Sequence, residues 1–162
     1  MAIHKLMIDD FDEADYMLIA IHSSLEDYRL AYFVNRELEL RLEKCPKDIG
    51  FKQKGTTAFF SRFIYEDAAN DIAWNLIQNK NSVNSTLMGG NASLFTEAGL
   101  SITTSSYFIP ELKTVDFILK VDNVDENQET DTIINNLLDV KYIATAYKLD
   151  HYKLKSKNNL IF

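Results

Sequence analysis

The sequence predicts an α+β fold, a mostly antiparallel sheet with two helices packed on one face. Three observations predict it. Apolar runs and alternating apolar residues recur between polar turns, as strands do. Two amphipathic stretches, near residues 25–36 and 125–138, repeat apolar residues at three- and four-residue spacing. Each lies between strand-like segments, which gives strand–helix–strand units near residues 16–44 and 115–149. Such units suit a ferredoxin-like or split β–α–β arrangement, widened by extra hairpins. A chain of 162 residues, 46% hydrophobic, is sized for one domain over 1–162 that buries roughly 70% of its unfolded surface.

Leu6–Asp9 and Tyr16–His22 read as strands joined by an acidic turn. The second is almost continuously apolar, as a strand covered on both faces must be. Ser23 and Glu26 then have capping-box spacing, which predicts a helix from about Leu25 to Arg36 with Leu30, Phe33, Val34 and Leu38 as its stripe. From Leu38 the period shortens: Leu38, Leu40 and Leu42 alternate with charged residues, the pattern of a half-buried strand, with continued helix as the alternative. Cys45–Gly50 is a turn. Thr57–Tyr65 follows as a strand with Phe59, Phe63 and Tyr65 on one face and Phe60 and Ile64 on the other. Ile72–Gln78 pairs with it through the polar turn 66–71.

Asn79–Thr104 is rich in Asn, Ser, Thr and Gly and reads as a long excursion with one short element near Ser93–Phe95. Ser106–Ile109 and Val115–Val121 are strands. Asp125–Leu138 is the second helix, with a capping-box spacing from Asp125 to Gln128 and a stripe of Ile133, Ile134, Leu137 and Leu138. Lys141–Leu149 returns as a strand, and the apolar Leu160-Ile161-Phe162 predicts a tail that docks.

Charge excludes some functions. Twenty-four Asp and Glu against seventeen Lys and Arg leave a formal −7, which opposes a broad attraction to nucleic acid or anionic lipid. Within that balance residues 148–162 are basic, with four lysines against Asp150. The aromatics Phe59, Phe60, Phe63, Tyr65 and Trp74 have only Arg62 among them, so they read as core rather than as base-stacking groups. No run approaches the ~20 apolar residues of a membrane span, and the start lacks the pattern of a secretory signal. Cys45 stands alone and makes no intrachain disulfide. The expected compartment is the cytoplasm.

Few residues are placed for chemistry. Met88-Gly89-Gly90-Asn91 lacks the Lys-Ser/Thr of a phosphate loop, and His4, His22 and His151 have no metal-ligand spacing, so neither cofactor nor metal is expected. His22-Ser23-Ser24 sits where a strand hands over to a helix, where backbone amides can hold a small anion. Glu111 and Asp116 fail as an acid–base pair: on an extended chain about 17 Å would separate them, on opposite faces. Only a sharp bend after Pro110 would rescue that pair. Asp116 is expected to pair with an Arg or Lys of a neighbouring element.

Ile109-Pro110-Glu111-Leu112-Lys113-Thr114-Val115-Asp116-Phe117 resembles the signature of the bacterial IPExxxVDY family. Phe117 stands where that signature has Tyr, so no phenolic hydroxyl is required there. The resemblance extends to residues 21–30 and 154–162. It implies membership and no particular activity. The motif has a structural reading: Pro110 drives Ile109 into an extended conformation, and Val115, Phe117, Leu119 and Val121 alternate as the buried face of a core strand. The functional expectation is a non-enzymatic module that binds a protein partner or itself. The alternative is a sensor or enzyme with a small-ligand pocket near His22–Ser24 and the 79–104 excursion.

Overall fold

The computed structural model describes residues 16–53, 56–86, 101–124 and 129–162. The first half runs β1 (Tyr16–Ser23), α1 (Asp27–Leu38), β2 (Glu43–Lys44), β3 (Ile49–Gln53), β4 (Thr56–Phe60), β5 (Arg62–Asp67) and β6 (Ile72–Gln78). The second runs β7 (Lys80–Thr86), β8 (Ser101–Tyr107), β9 (Phe117–Asp122), α2 (Thr130–Leu138) and β10 (Ile143–Leu149), with short 3-10 turns at His151–Lys153 and Lys157–Leu160. Six strands form one sheet in the order β10-β1-β9-β6-β5-β2, every neighbour antiparallel. Two separate ribbons, β3–β4 and β7–β8, complete the strands. The α+β class, a mostly antiparallel sheet with helices on one face, is the one the sequence predicts. The expected strand Leu6–Asp9, the Asp125–Gln128 cap and the element near Ser93–Phe95 lie outside the described residues.

The sheet needs cover on both faces. Met17, Ile19 and Ile21 of β1 pack beneath Leu30, Ala31 and Val34 of α1 and Ile133 and Leu137 of α2. Leu18 and Ala20 point the other way, into a second core with Ala58, Phe60, Phe108, Ile109, Val115, Leu154 and Leu160. All five β1 residues from Met17 to Ile21 are completely buried. Burying a large aliphatic side chain of this kind contributes about 1.5–3 kcal/mol, so the second cover is as necessary as the helices.

Several boundaries differ from expectation: β3 begins at Ile49, inside the expected Cys45–Gly50 turn, the expected strand Ser106–Ile109 is the end of β8, which stops at Tyr107, and four further differences reshape the fold. First, α1 begins at Asp27, because Ser23 belongs to β1 and the Glu26 N-cap makes no side-chain cap bond. The Ser23–Glu26 capping box does not form. Instead, the Ser23 hydroxyl donates to Tyr142 O at 2.8 Å and accepts from the Leu25 amide at 3.2 Å. Second, Leu38–Leu42 is not a strand. Leu38 ends α1, Glu39 takes a left-handed φ of 55°, and the Leu40 amide donates to Asn35 O at 3.0 Å. The Asn35 side chain then accepts from the Leu42 amide at 2.7 Å and donates to Leu42 O at 3.1 Å, satisfying both groups without a neighbouring strand.

Third, Thr57–Tyr65 is two strands in two layers. Ser61 interrupts them, taking the chain from the β3–β4 ribbon into the main sheet as β4 gives way to β5. Phe60 therefore packs in the second core, Phe63 packs under the helices, and Phe59 lies exposed. Fourth, the described flanks of the 79–104 excursion pair as the β7–β8 ribbon, from Lys80 opposite Tyr107 to Thr86 opposite Ser101.

The motif segment is also not a strand until Phe117. The Leu112 amide donates to Ile109 O at 3.0 Å and the Val115 amide to Leu112 O at 3.1 Å, two successive turns. Val115 consequently joins the second core, while Phe117, Leu119 and Val121 face the helices. These turns are held by Asn79, which is fully buried. Its Nδ2 donates to Leu112 O at 2.8 Å and Val115 O at 2.9 Å, and its Oδ1 accepts from the Ile109 amide at 2.8 Å. Its backbone carbonyl accepts from the Phe108 amide and its amide donates to Asp116 O. Asn79→Ala would leave two buried backbone groups unpaired, the Ile109 amide and Val115 O, at about 1–3 kcal/mol each, while Leu112 O keeps the Val115 amide. Equilibrium urea unfolding should show a loss of about 2 kcal/mol or more; a loss under about 1 kcal/mol would show that the turns hold without the amide.

Candidate functional site

The structure brings two of the sequence-selected groups together at the end of β1. The Ser23 amide donates to Asp116 Oδ2 at 3.0 Å, and the Asp116 amide donates to Ile21 O at 3.2 Å. The partner of the Asp116 carboxylate among the described residues is thus a backbone amide, not the Arg or Lys expected. Ser24 is exposed. His22 stacks on Tyr147 with ring centroids 5.6 Å apart and places Nε2 3.3 Å from its hydroxyl.

Glu111 serves a different segment. The chain does bend after Pro110, yet the two carboxylates take separate partners: Glu111 Oε1 accepts from the Ser156 amide at 2.7 Å. Burial pushes the Glu111 carboxyl up. The amides of Glu111, Ser156 and Lys155 and the Ser156 hydroxyl outweigh that push and hold it below its usual value. Of the remaining motif residues, Ile109 and Val115 are buried in the second core, Pro110 is exposed at the turn, and Phe117 opens β9.

Glu111 fastens the chain that walls a cavity the sequence reading did not select. After β10, the Asp150 side chain accepts from the Tyr152 amide at 3.1 Å, starting the 3-10 turn that carries His151. Leu154 and Leu160 bury in the second core, and Asn159 Nδ2 donates to Phe108 O at 2.8 Å. Residues 150–162 thereby form a strap across the sheet face opposite the helices.

Beneath the strap that face changes character along its length. Ala20, Ile118 and Ile77 are in register as an apolar row across β1, β9 and β6; in the next row Leu18 stands opposite Lys120 and Lys120 opposite Asn75, and Tyr16 opposite Asp122 continues the polar half. Arg62 Nε donates to Asn75 Oδ1 at 2.9 Å, Asn75 Nδ2 to Asp122 Oδ2 at 3.4 Å, and Lys120 Nζ to Asp122 Oδ1 at 2.6 Å. Between this polar half and the strap lies a cavity of about 320 Å³, lined by Tyr16, Lys120, His151, Tyr152, Lys157 and Phe162 among others. That volume is at the small end for a ligand site.

His151 is the unusual member. It is 5% exposed, and its Nε2 has no hydrogen-bond partner among the described residues. Its ring packs between Tyr16, 4.9 Å away, and Tyr152, 4.1 Å away. A second cavity of about 260 Å³, with Lys148 and Asp150 in its wall, also reaches His151. The Phe162 ring closes one side of the first cavity, with the Arg62 guanidinium 4.1 Å and the Lys120 ammonium 5.4 Å from its centroid.

Among the described residues, no group of three or more His, Cys, Asp or Glu could hold a metal ion, and no helix is long and apolar enough to cross a membrane. The chain matches no protein-family model, no curated protein and no solved structure in the three comparisons made. The signal that pointed toward the cavity was present but indirect: a lysine-rich segment with an apolar end, entered through an Asp that can cap a turn.

The depressed Glu111 carboxyl sets a pH dependence. A group whose pKa is lowered on folding adds stability above its unfolded value, near 4.5, and that contribution disappears as pH falls. Glu111→Gln should therefore be less stable than the parent at pH 7, with the gap narrowing below about pH 4.5. Urea unfolding at pH 7 and pH 3 measures it. An equal gap at both would mean the charge does not fasten the strap.

Proposed function

We propose that this chain is a binding domain for a small organic molecule, held between the polar half of the sheet and the strap. One observation carries the reading: a buried histidine that lines a cavity and whose Nε2 has no hydrogen-bond partner among the described residues. A group left so costs about 1–3 kcal/mol of stability, and a ligand that bonds to it recovers that loss. The two lysines and three aromatic rings around it supply the mixture of apolar wall and few polar groups typical of ligand sites.

The reading is of binding rather than turnover. Glu111 and Asp116, the carboxylates that chemistry at the motif would need, are each engaged by a backbone amide. At His22–Ser24 the Ser23 amide already has Asp116 as its acceptor, so the support for a ligand lies at the strap instead. We read the frame as ferredoxin-like, because β9 lies between β1 and β6 and β1 lies between β9 and β10. Membership of the IPExxxVDY family belongs to the same proposal. Its support is that Asn79, Ser23 and Ser156 all take hydrogen bonds from or give them to the motif. A cytoplasmic setting is favoured by the lone Cys45, a free thiol.

A protein partner or a second copy is the other reading, and the outer face of α1 favours it. Tyr28 and Tyr32, one turn apart, are 59% and 62% exposed, with Tyr142 and Leu138 also exposed.

A fragment screen followed by amide and methyl NMR shifts separates these readings. Hits should move Tyr16, Lys120, His151 and Leu160 together. No hits, or hits confined to His22–Ser24, would overturn the pocket. Light scattering that finds a dimer broken by Tyr32→Glu would favour the α1 face.

A further inference from the structure

We infer that the ligand is a planar aromatic carboxylate, seated with its anionic head toward Lys120, Lys157 and His151 and its ring among Tyr16, Tyr152 and Phe162. This rests on the pocket proposed above and specifies what it takes.

The charge argument comes first. In a chain with a formal −7, the described side chains that line this cavity include two lysines and a histidine and no Asp or Glu. The Lys120 side chain is only 11% exposed, so salt and water screen it weakly. Its ammonium has three N–H donors, and Asp122 is the one acceptor the described structure gives it. His151 Nε2 adds a buried ring nitrogen with no partner among the described residues. A carboxylate can accept from several donors at once, which a neutral group of the same size cannot do as strongly.

The ring argument is independent of charge. The walls are themselves flat. Tyr16, His151 and Tyr152 form a run of rings at centroid spacings of 4.9 and 4.1 Å, tilted by 42° and 36°. Phe162 faces the cavity from the strap, and the Lys120 ammonium lies 5.1 Å from the Tyr16 centroid and 5.4 Å from that of Phe162. Between such faces a flat ring finds offset-stacked or edge contacts that a flexible aliphatic chain would not. The volume of about 320 Å³ suits one ring and its substituent rather than a nucleotide or lipid.

Titration calorimetry at fixed ionic strength with three probes tests this: benzoate, benzamide and acetate. Benzoate should bind at least tenfold more tightly than either other probe and shift Tyr16, Lys120 and His151 in NMR spectra. Lys157→Gln should weaken benzoate several-fold and leave benzamide unchanged. His151→Phe should lose benzoate affinity tenfold or more while raising Tm by a few degrees, because it removes a buried unpaired polar atom. Benzamide binding as tightly as benzoate would overturn the anionic head; acetate binding as tightly would overturn the ring. Fragment hits at the cavity with none of the three probes bound would refute this ligand class and leave the pocket standing. No hits of any kind would refute the pocket itself.

Discussion

The Asn79 carboxamide stands where β6 leaves the sheet, and it donates to Leu112 O and Val115 O while accepting from the Ile109 amide. Those three bonds turn the chain back over the sheet face that the helices do not cover. Without that fold-back, Leu18, Ala20, Ile77 and Ile118 would meet water, and Ile109 and Val115 would have no core to enter. The adjoining Asp116 extends the same junction to β1, through Ile21 O and the Ser23 amide. Three strands are thus tied at one point by side chains that a periodicity argument treats as polar interruptions.

The candidate site inherits its geometry from that junction. The turn that Asn79 stabilises presents Glu111 at its corner, Glu111 receives the Ser156 amide, and Ser156 lies in the strap whose other end carries His151. The cavity is therefore a by-product of covering only half of a sheet face. The strap seals the apolar half with Leu154 and Leu160 and spans the polar half with an aromatic ring. Charged and polar groups along that half hold one another in a row from Arg62 through the Asn75 amide and Asp122 to Lys120, which keeps them oriented in a poorly solvated place.

Where burial alone decides structure, the sequence was legible. β6 runs from Ile72 to Gln78 as its alternation predicts, and β1 is apolar throughout because both of its faces are covered. Where a side chain substitutes for a backbone partner, alternation misleads. Leu38–Leu42 alternates like a strand, yet the Asn35 amide takes the hydrogen bonds that a neighbouring strand would. The break at Ser61 had a trace in the sequence, since Phe59-Phe60 puts two large apolar residues side by side where strict alternation allows one. Val115 misled for a simpler reason: it closes the second of two turns instead of lying in β9, so it does not share the face of Phe117. His151 was the least legible, because what marks it is the lack of a partner among the described residues, a property of packing against Tyr16 that no local pattern carries.

The position of β1 has a consequence for how the chain is made. It is the most apolar strand of the sheet, and both neighbours that pair with it, β9 and β10, begin only at Phe117 and Ile143. During synthesis from the N-terminus, β1 leaves the ribosome long before either can reach it, and closing such distant pairings is slow. Its unpaired backbone N–H and C=O groups, set among apolar side chains, are then open to wrong partners. This interior strand of the sheet is thus completed only by pairings that close loops of roughly a hundred residues.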